Sequence, residues 1–244
     1  MAHHFSPDVR PRLRKLAVGI SRLPVIGPAV VNVKARADRR RFPGSVGFWE
    51  QHYATGGLSG PGSYGQLAEF KAEVLNGFVR DEGIRSVVEF GCGDGNQLTL
   101  ADYPSYVGLD VSATAIQICN ERFDQDPTKR FLLYDPDKPQ REVRADLALS
   151  LDVLYHLVED GVFERYLQDL FQSADRFVGI YSSDIEVPST AAYVKHRAFT
   201  PWVSRHLPRW ELFRVVENPN RYSGDASIGS HADFRLFRRT RSAG

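Results

Sequence analysis

Two hydrophobic rhythms alternate along the chain after residue 65. Leu67, Phe70, Val74, Leu75, Phe78 and Val79 recur at three- and four-residue spacing and Gly83 follows, which predicts an amphipathic helix with a glycine stop. Five short apolar runs come next: Arg85–Phe90, Tyr106–Asp110, Arg130–Tyr134, Ala145–Leu151 and Arg176–Ser182. Their apolar positions are continuous rather than alternating, so they predict strands buried on both faces, as in parallel sheets. Ala113–Phe123 and Asp160–Ala174 predict helices between them, with Ser112 and Asp160 near the N-cap positions. Strand–helix alternation of this kind predicts an α/β fold with a doubly wound, mostly parallel sheet. Trp210–Glu217 and Ala232–Arg239 read as two final strands joined by a polar loop instead of a helix, so the sheet ends in an antiparallel pair and totals seven strands.

The N-terminal part has a different character. Residues 1–45 are interrupted by Pro7, Pro11, Pro24, Pro28 and Pro43 and hold ten basic against two acidic residues, a net charge of +8. The whole chain is +1, so residues 46–244 carry −7. The near-neutral total therefore hides a basic arm, 1–45, ahead of an acidic domain, 46–244. The neutral total at first sight argues against a nucleic acid or membrane partner held by bulk charge, but with the arm separated it no longer argues against an acidic one. The arm taken alone suits a solvated face or a subunit contact before an acidic surface, and a two-fold homodimer is the commonest assembly. Hydrophobic residues at 42% and charged residues at 25% exclude wholesale disorder and repeat fibres. Two cysteines, Cys92 and Cys119, are too few for a secreted disulfide scaffold, so a reducing cytoplasm is expected. The apolar-leaning run from Leu16 to Val33 is broken by Arg22, Pro24 and Pro28 and falls short of a membrane span or leader.

The segment Val87-Val88-Glu89-Phe90-Gly91-Cys92-Gly93-Asp94-Gly95-Asn96-Gln97 carries the chemistry. Glycines 91, 93 and 95 directly after a buried strand allow a tight turn and close approach of a ligand, where a Cβ would collide. A dinucleotide fingerprint would need glycine at position 96, where Asn96 stands, and no G-x-x-x-x-G-K-[ST] phosphate loop exists. An acid on the first strand, Glu89, followed by G-x-G-x-G suits a nucleotide-like ligand without phosphates, carrying an amino acid ammonium and carboxylate. Asp110, which closes the second strand, can accept hydrogen bonds from ribose hydroxyls.

With these stretches, VVEFGCGDGNQL (87–98), YVGLDVS (106–112), FLLYDP (131–136) and ADLALSLDVLYHLVED (145–160), the sequence resembles the class I S-adenosylmethionine-dependent methyltransferases, a Rossmann-like fold. The resemblance covers about half the chain, with the motifs in the family's order. It implies S-adenosyl-L-methionine as cofactor, with Gly91 and Gly93 facing its methionine part, Asp110 on the ribose, Val111 packed on adenine and Asp135 near the adenine amino group. Leu151 and Asp152 would lie beside the transferred methyl, and Glu89, Cys92, Asn96 and Gln97 complete the cofactor-binding set. Phe48–Tyr53 and the Gly-rich stretch 56–65 resemble the family's N-terminal lid, with Tyr53 and Ser63 as cofactor contacts.

His156, just after the fourth strand, is the candidate general base, since a hydroxyl is a poor nucleophile until its proton is removed. Its plainer role is a helix-start histidine bonded to backbone. Asp152 is the second candidate catalytic residue: it orients His156, acts as base, contacts cofactor, or with His156 ligates Mg2+. No histidine set has metal-ligand spacing, so no protein metal site is expected. Asp184 and Glu186 form a further polar rim for acceptor hydroxyls, or simply a polar loop. Trp49, Tyr53 and Tyr64 could meet the sulfonium or a sugar face.

The N/D-P-P-Y/F signature of amino-type base methyltransferases is missing after the fourth strand, where Leu151-Asp152-Val153-Leu154-Tyr155-His156 stands. A hydroxyl of a small molecule or saccharide remains as acceptor. The whole chain is similar to actinobacterial polymethylated-polysaccharide O-methyltransferases of the methylmannoside type. The competing functions are an RNA or DNA methyltransferase using the basic arm, and a cofactor-binding partner without catalysis.

Overall fold

The computed structural model describes residues 42–138, 140, 143–189 and 191–240. The described part of the folded unit lies within Pro43–Pro188 and from Tyr193 onward. The described residues of the second unit, Phe42, Ser189, Ala191 and Ala192, carry no helix or strand. Elements in chain order are helices α1 (Gly44–Ala54) and α2 (Gly65–Asp81), strands β1 (Val87–Phe90) and β2 (Tyr106–Asp110), helix α3 (Ala113–Arg122), strands β3 (Lys129–Leu133) and β4 (Ala145–Leu151), helix α4 (Asp160–Gln172), strand β5 (Ala174–Ser182), helix α5 (Phe199–His206), and strands β6 (Trp210–Val216) and β7 (Asp233–Arg239). Single helical turns occupy Pro61–Ser63, Gln97–Leu100 and Leu154–His156.

The sheet has seven strands in the order β3-β2-β1-β4-β5-β7-β6. β1 to β5 pair in parallel, and β7 runs antiparallel to both β5 and β6. The continuous apolar runs explain the burial: all four residues of β1 are buried, as are six of the seven in β4. One sheet face packs on α4 and α5 through Phe163, Leu167, Phe171, Phe199 and Val203. The other packs on α2 and α3 through Leu75, Phe78, Val79 and Cys119.

Helix α2 is held by its apolar stripe, Leu67, Leu75, Phe78 and Val79, and stops where Gly83 takes φ +59 and Ile84 N–H returns to Val79 O at 2.9 Å. Ser112 caps α3, accepting from Ala115 N–H at 3.1 Å. Asp160 stands one place inside the cap. It is the first residue of α4, whose N-cap is Glu159, and its carboxylate pairs with Lys195 and Arg197 instead. The expected boundary at residue 45 falls inside α1: Ser45 is buried and bonded to Glu159, so it stands with the folded unit. The rest of the arm, 1–41, lies outside the described residues. Among the described residues no helix is long and apolar enough to cross a membrane.

The chain crosses over between β1 and β4, where connections leave the sheet in opposite directions. That switch point opens a crevice at the carboxyl ends of the strands, the usual ligand position in doubly wound sheets.

Candidate active site

The turn after β1 is built for close approach. Gly91 N–H and Cys92 N–H both reach Leu109 O, at 2.7 and 3.1 Å, which binds the turn to β2. Gly91 has φ +81, and a Cβ there would stand 2.4 Å from Val153 Cγ2. Gly93 has φ +56, and a Cβ there would stand 2.4 Å from Ser59 Oγ and 2.8 Å from Tyr53 Oη. Glycine is therefore required twice over, by backbone and by neighbours. Asp110 accepts from Gly93 N–H and Ser112 N–H, each at 2.9 Å. Burial drives its carboxyl up to about 6 against those backbone bonds. Glu89 accepts Tyr106 Oη–H at 2.7 Å, and burial pushes it up to about 7 even though Tyr106 and the Lys71 charge pull it down.

A cavity of about 610 Å³ lies over this turn, in the size range of small-molecule sites. Its floor includes Glu89, Gly91, Gly93, Gln97, Asp110, Val111 and Leu151, and its far wall Asp152, Tyr155 and His156. Helix α1 and the loop after it form the roof with Trp49, Tyr53 and residues 58–63. The roof is tied down at both sides. Glu50 accepts Thr114 Oγ1–H at 2.8 Å, while Ser45 N–H donates to Glu159 Oε1 at 2.9 Å and Ser45 Oγ–H to its Oε2 at 2.6 Å. At the centre, Asp94 accepts Ser59 N–H and Tyr64 Oη–H, both at 2.9 Å. Burial works to raise Asp94, but its hydrogen bonds hold the carboxyl below its ordinary range. Asn96 Nδ2 adds a bond to Ser63 O at 2.7 Å.

The far wall holds an ion pair whose lysine is fully buried. Lys71 Nζ from α2 meets Asp152 Oδ2 at 2.6 Å, and Tyr155 Oη–H donates to Asp152 Oδ1 at 2.9 Å. Asp152 has φ +61, the left-handed region, alone among described residues other than glycine. His156 Nδ1 lies 3.0 Å from Tyr193 O, and a carbonyl only accepts, so Nδ1 carries the proton and Nε2 the lone pair. Burial lowers the imidazole to about 4, which keeps it neutral at physiological pH. Trp49 edges its ring at 4.8 Å and Tyr155 tilts over it at 4.6 Å.

Most residues singled out in the sequence converge on this cavity: Tyr53, Ser63, Glu89, Gly91, Cys92, Gly93, Gln97, Asp110, Val111, Leu151, Asp152 and His156 all line it. Asn96 is not among the lining residues and holds the roof loop through Ser63 O. Asp135 is turned to Lys138 and to Asp137 N–H, and the wall beside it is made by Tyr134 and Pro136. Asp184 is taken by Thr200 and Arg235, where it caps α5, and Glu186 accepts from Ala198 N–H. Neither lines the cavity. The site gives the Mg2+ expectation no support. Asp152 is occupied by Lys71 and Tyr155, His156 Nδ1 by a carbonyl, and no three His, Cys, Asp or Glu among the described residues form a ligand group. Asp94 and Lys71 were not visible as site residues. For Lys71 the available signal was a lysine on the apolar stripe of α2.

The comparisons with known proteins agree with this geometry. Residues 87–175 match a family described as "Methyltransferase domain". The stretch from β1 to the start of β5 is therefore a methyltransferase domain. It is 28% identical over 127 residues, 51% of its length, to the tRNA (carboxymethyluridine(34)-5-O)-methyltransferase of Arabidopsis thaliana, and spans only 30% of that relative. Among solved structures it is similar in fold to the N-methyltransferase NodS of Bradyrhizobium japonicum with S-adenosyl-l-homocysteine, at TM-score 0.57 and 14% identity over 72% of this chain and 88% of that one. It is also similar to magnesium protoporphyrin IX methyltransferase of Synechocystis with bound SAM, at TM-score 0.54 and 16% identity over 70% of this chain and 79% of that one.

Proposed function

We propose that this enzyme methylates a hydroxyl oxygen, most simply of a saccharide, with His156 as general base. The observation that carries the reading is the orientation of His156: its Nδ1–H is fixed on Tyr193 O at 3.0 Å, so Nε2 is the acceptor on a ring that lines the cavity. When bound, S-adenosylmethionine supplies the electrophilic methyl group. Gly91 and Gly93 would lie against its methionine part, and Asp110 and Val111 would hold the ribose and pack on adenine, with Asp135 near the amino group. Glu89, Cys92, Gln97, Tyr53, Ser63 and Leu151 complete the set, and Asn96 would act on it through the roof loop. The neutral His156 accepts the acceptor hydroxyl's proton, a contribution on the order of 10²–10⁴-fold.

The saccharide class is supported by the aromatic panel beside His156. Phe48 stacks on Tyr193 at 4.8 Å, Trp49 stands at its edge, and such rings pack well on sugar C–H faces. Ser63 in the roof and Tyr155 in the wall line the same cavity and offer hydroxyl partners. The relative from Arabidopsis thaliana, named as a tRNA (carboxymethyluridine(34)-5-O)-methyltransferase, supports a second reading in which the acceptor is RNA drawn by the basic N-terminal residues.

Labelled methyl donor, offered with saccharide, lipid and RNA acceptors with and without magnesium, tests both. Transfer to a saccharide that His156→Ala abolishes, with donor binding retained, supports the first reading. Transfer only to RNA, falling steeply with salt, replaces it with the second. An intracellular site of action and a two-fold homodimer belong to the same reading, and sedimentation of the full chain tests the dimer.

A further inference from the structure

Among the described residues lining the cavity, Lys71 is the one lysine or arginine, against Glu89, Asp110 and Asp152. It comes from α2, outside residues 87–175 and outside every motif that marks the family in this chain. Its side chain is 1% exposed, Nζ is 2.6 Å from Asp152 Oδ2, and the ammonium lies over the Tyr181 ring at 5.3 Å. A charge withdrawn from water is costly unless paired, so this ammonium and the Asp152 carboxylate depend on each other. The backbone of Asp152 adds a second constraint. Its φ of +61 is unfavourable for a residue with a Cβ, and its N–H is fixed on Tyr181 O at 2.9 Å. The roof closes on the same carboxylate: a Cβ on Gly62 would stand 2.4 Å from Asp152 Oδ2.

The groups facing Asp152 are Lys71 from α2, Glu89 from β1, Tyr181 from β5, and Tyr155 and His156 from the turn after β4. Tyr155 and Lys71 bond it directly, one on each oxygen. The far wall is thus electrically balanced by one pair, while the floor retains two acids.

We propose that Lys71 is a positioning residue: its buried ammonium fixes the Asp152 carboxylate in the wall and sets the charge that the cavity presents to a bound sulfonium. The paired wall is neutral, so the preference between the cationic methyl donor and its neutral thioether product is set by the floor acids. Removing either partner leaves the other's charge uncompensated in the same cavity, with opposite signs.

The test is calorimetric titration of the full chain with S-adenosylmethionine and S-adenosylhomocysteine, with no acceptor present. Lys71→Met leaves the carboxylate unpaired and should shift the affinity ratio about tenfold toward the cation, the effect of one unit charge in a partly buried cavity. Asp152→Asn leaves the ammonium unpaired and should shift the ratio about tenfold the other way. Lys71→Met with Asp152→Asn together should return the ratio to within about threefold of the parent, and it holds no orphan charge, so it folds if Lys71→Met alone does not. A residue with only a packing role would move both affinities together. A ratio unchanged in Asp152→Asn, or shifted the same way by both single substitutions, overturns the proposal. Because no acceptor is used, the outcome is independent of the base assigned to His156.

Discussion

Ser59 and Asp94 bond each other twice: Ser59 N–H donates to Asp94 Oδ2 at 2.9 Å, and Asp94 N–H donates to Ser59 Oγ at 3.1 Å. This reciprocal clasp joins the roof loop to the glycine turn, so the cavity is closed by the residue that also shapes its floor. Asp94→Ala removes the acceptor for Ser59 N–H, Tyr64 Oη–H and Asn96 N–H together. Losing bonds to a charged group costs about 1–3 kcal/mol. Methyl-donor affinity should fall at least tenfold, and protease cleavage between residues 56 and 64 should accelerate. Ser59→Ala, which keeps the bond from its own N–H, should show a smaller effect on both. Equal protease resistance in Asp94→Ala and the parent would remove the clasp from the account.

Glu89 links stability to pH in an unusual direction. Its folded value of about 7 lies above the ordinary glutamate range, so between about pH 4.5 and 7 the native state holds a proton that the unfolded chain has lost. Stability from this group is therefore present at the acid side and lost as pH rises through 7. Asp110, raised to about 6, acts in the same sense over a lower window, while His156, lowered to about 4, acts in the opposite sense up to about 6.5. The interval from 6.5 to 7.5 reports mainly Glu89. Glu89→Gln keeps an acceptor for Tyr106 Oη–H and removes the buried charge. At pH 8 the ligand-free variant should gain about 2 kcal/mol in urea unfolding, with the pH slope near 7 removed. Its methyl-donor affinity should drop, since the acid faces the cavity. An unchanged slope would mean that another group titrates there.

The central sheet was legible because burial on both faces leaves a simple trace: β2 and β4 fall on the residues that the apolar runs marked. The strand before the glycine turn is shorter than its run, since Arg85 N–H is taken by Asp146 Oδ2 and Arg85 lies outside the ladder. Helix α5 left too little trace, being eight residues long with Pro201 in its first turn. Missing it made Asp184 look like a free polar rim, whereas the carboxylate caps that helix from sixteen residues away in sequence. Asp94 and Lys71 were illegible for a shared reason. An aspartate between motif glycines and a lysine on a helix each have a plain solvent role, and only the fold brings Ser59 and Asp152 against them.

Gly91 is excluded from substitution on two independent grounds, and they can be separated. Gly91→Ala meets an unfavourable φ of +81 and places its Cβ 2.4 Å from Val153 Cγ2. The left-handed conformation costs roughly 1–2 kcal/mol for a residue with a Cβ, and overpacking typically adds 1–3 kcal/mol. Gly91→Ala should therefore lower the unfolding free energy by about 3 kcal/mol. Adding Val153→Ala removes the colliding methyl and should recover part of the loss, leaving the backbone share. Thermal or urea unfolding of the single and double variants measures both. If Val153→Ala recovers nothing, the contact is relieved by the turn itself and the backbone carries the whole cost.

His156 distinguishes a positioned base from a packed ring through its pH behaviour. A free imidazole would produce an acid limb near pH 6.5 in the rate profile. Burial lowers this one to about 4, so kcat at saturating methyl donor should stay flat from pH 8 down to about 5.5 on its account. The efficiency with respect to methyl donor should instead fall below pH 7, as Glu89 and then Asp110 take up protons. His156→Ala should lower kcat by at least 100-fold on the true acceptor while changing donor affinity less than threefold. His156→Gln keeps a side-chain donor for Tyr193 O but has no basic nitrogen, so it should recover stability and not turnover. Full turnover in His156→Gln would make the ring a packing element, with the proton leaving to solvent. A kcat limb near pH 6.5 in the parent enzyme would mean that the ring becomes solvated once donor and acceptor are bound.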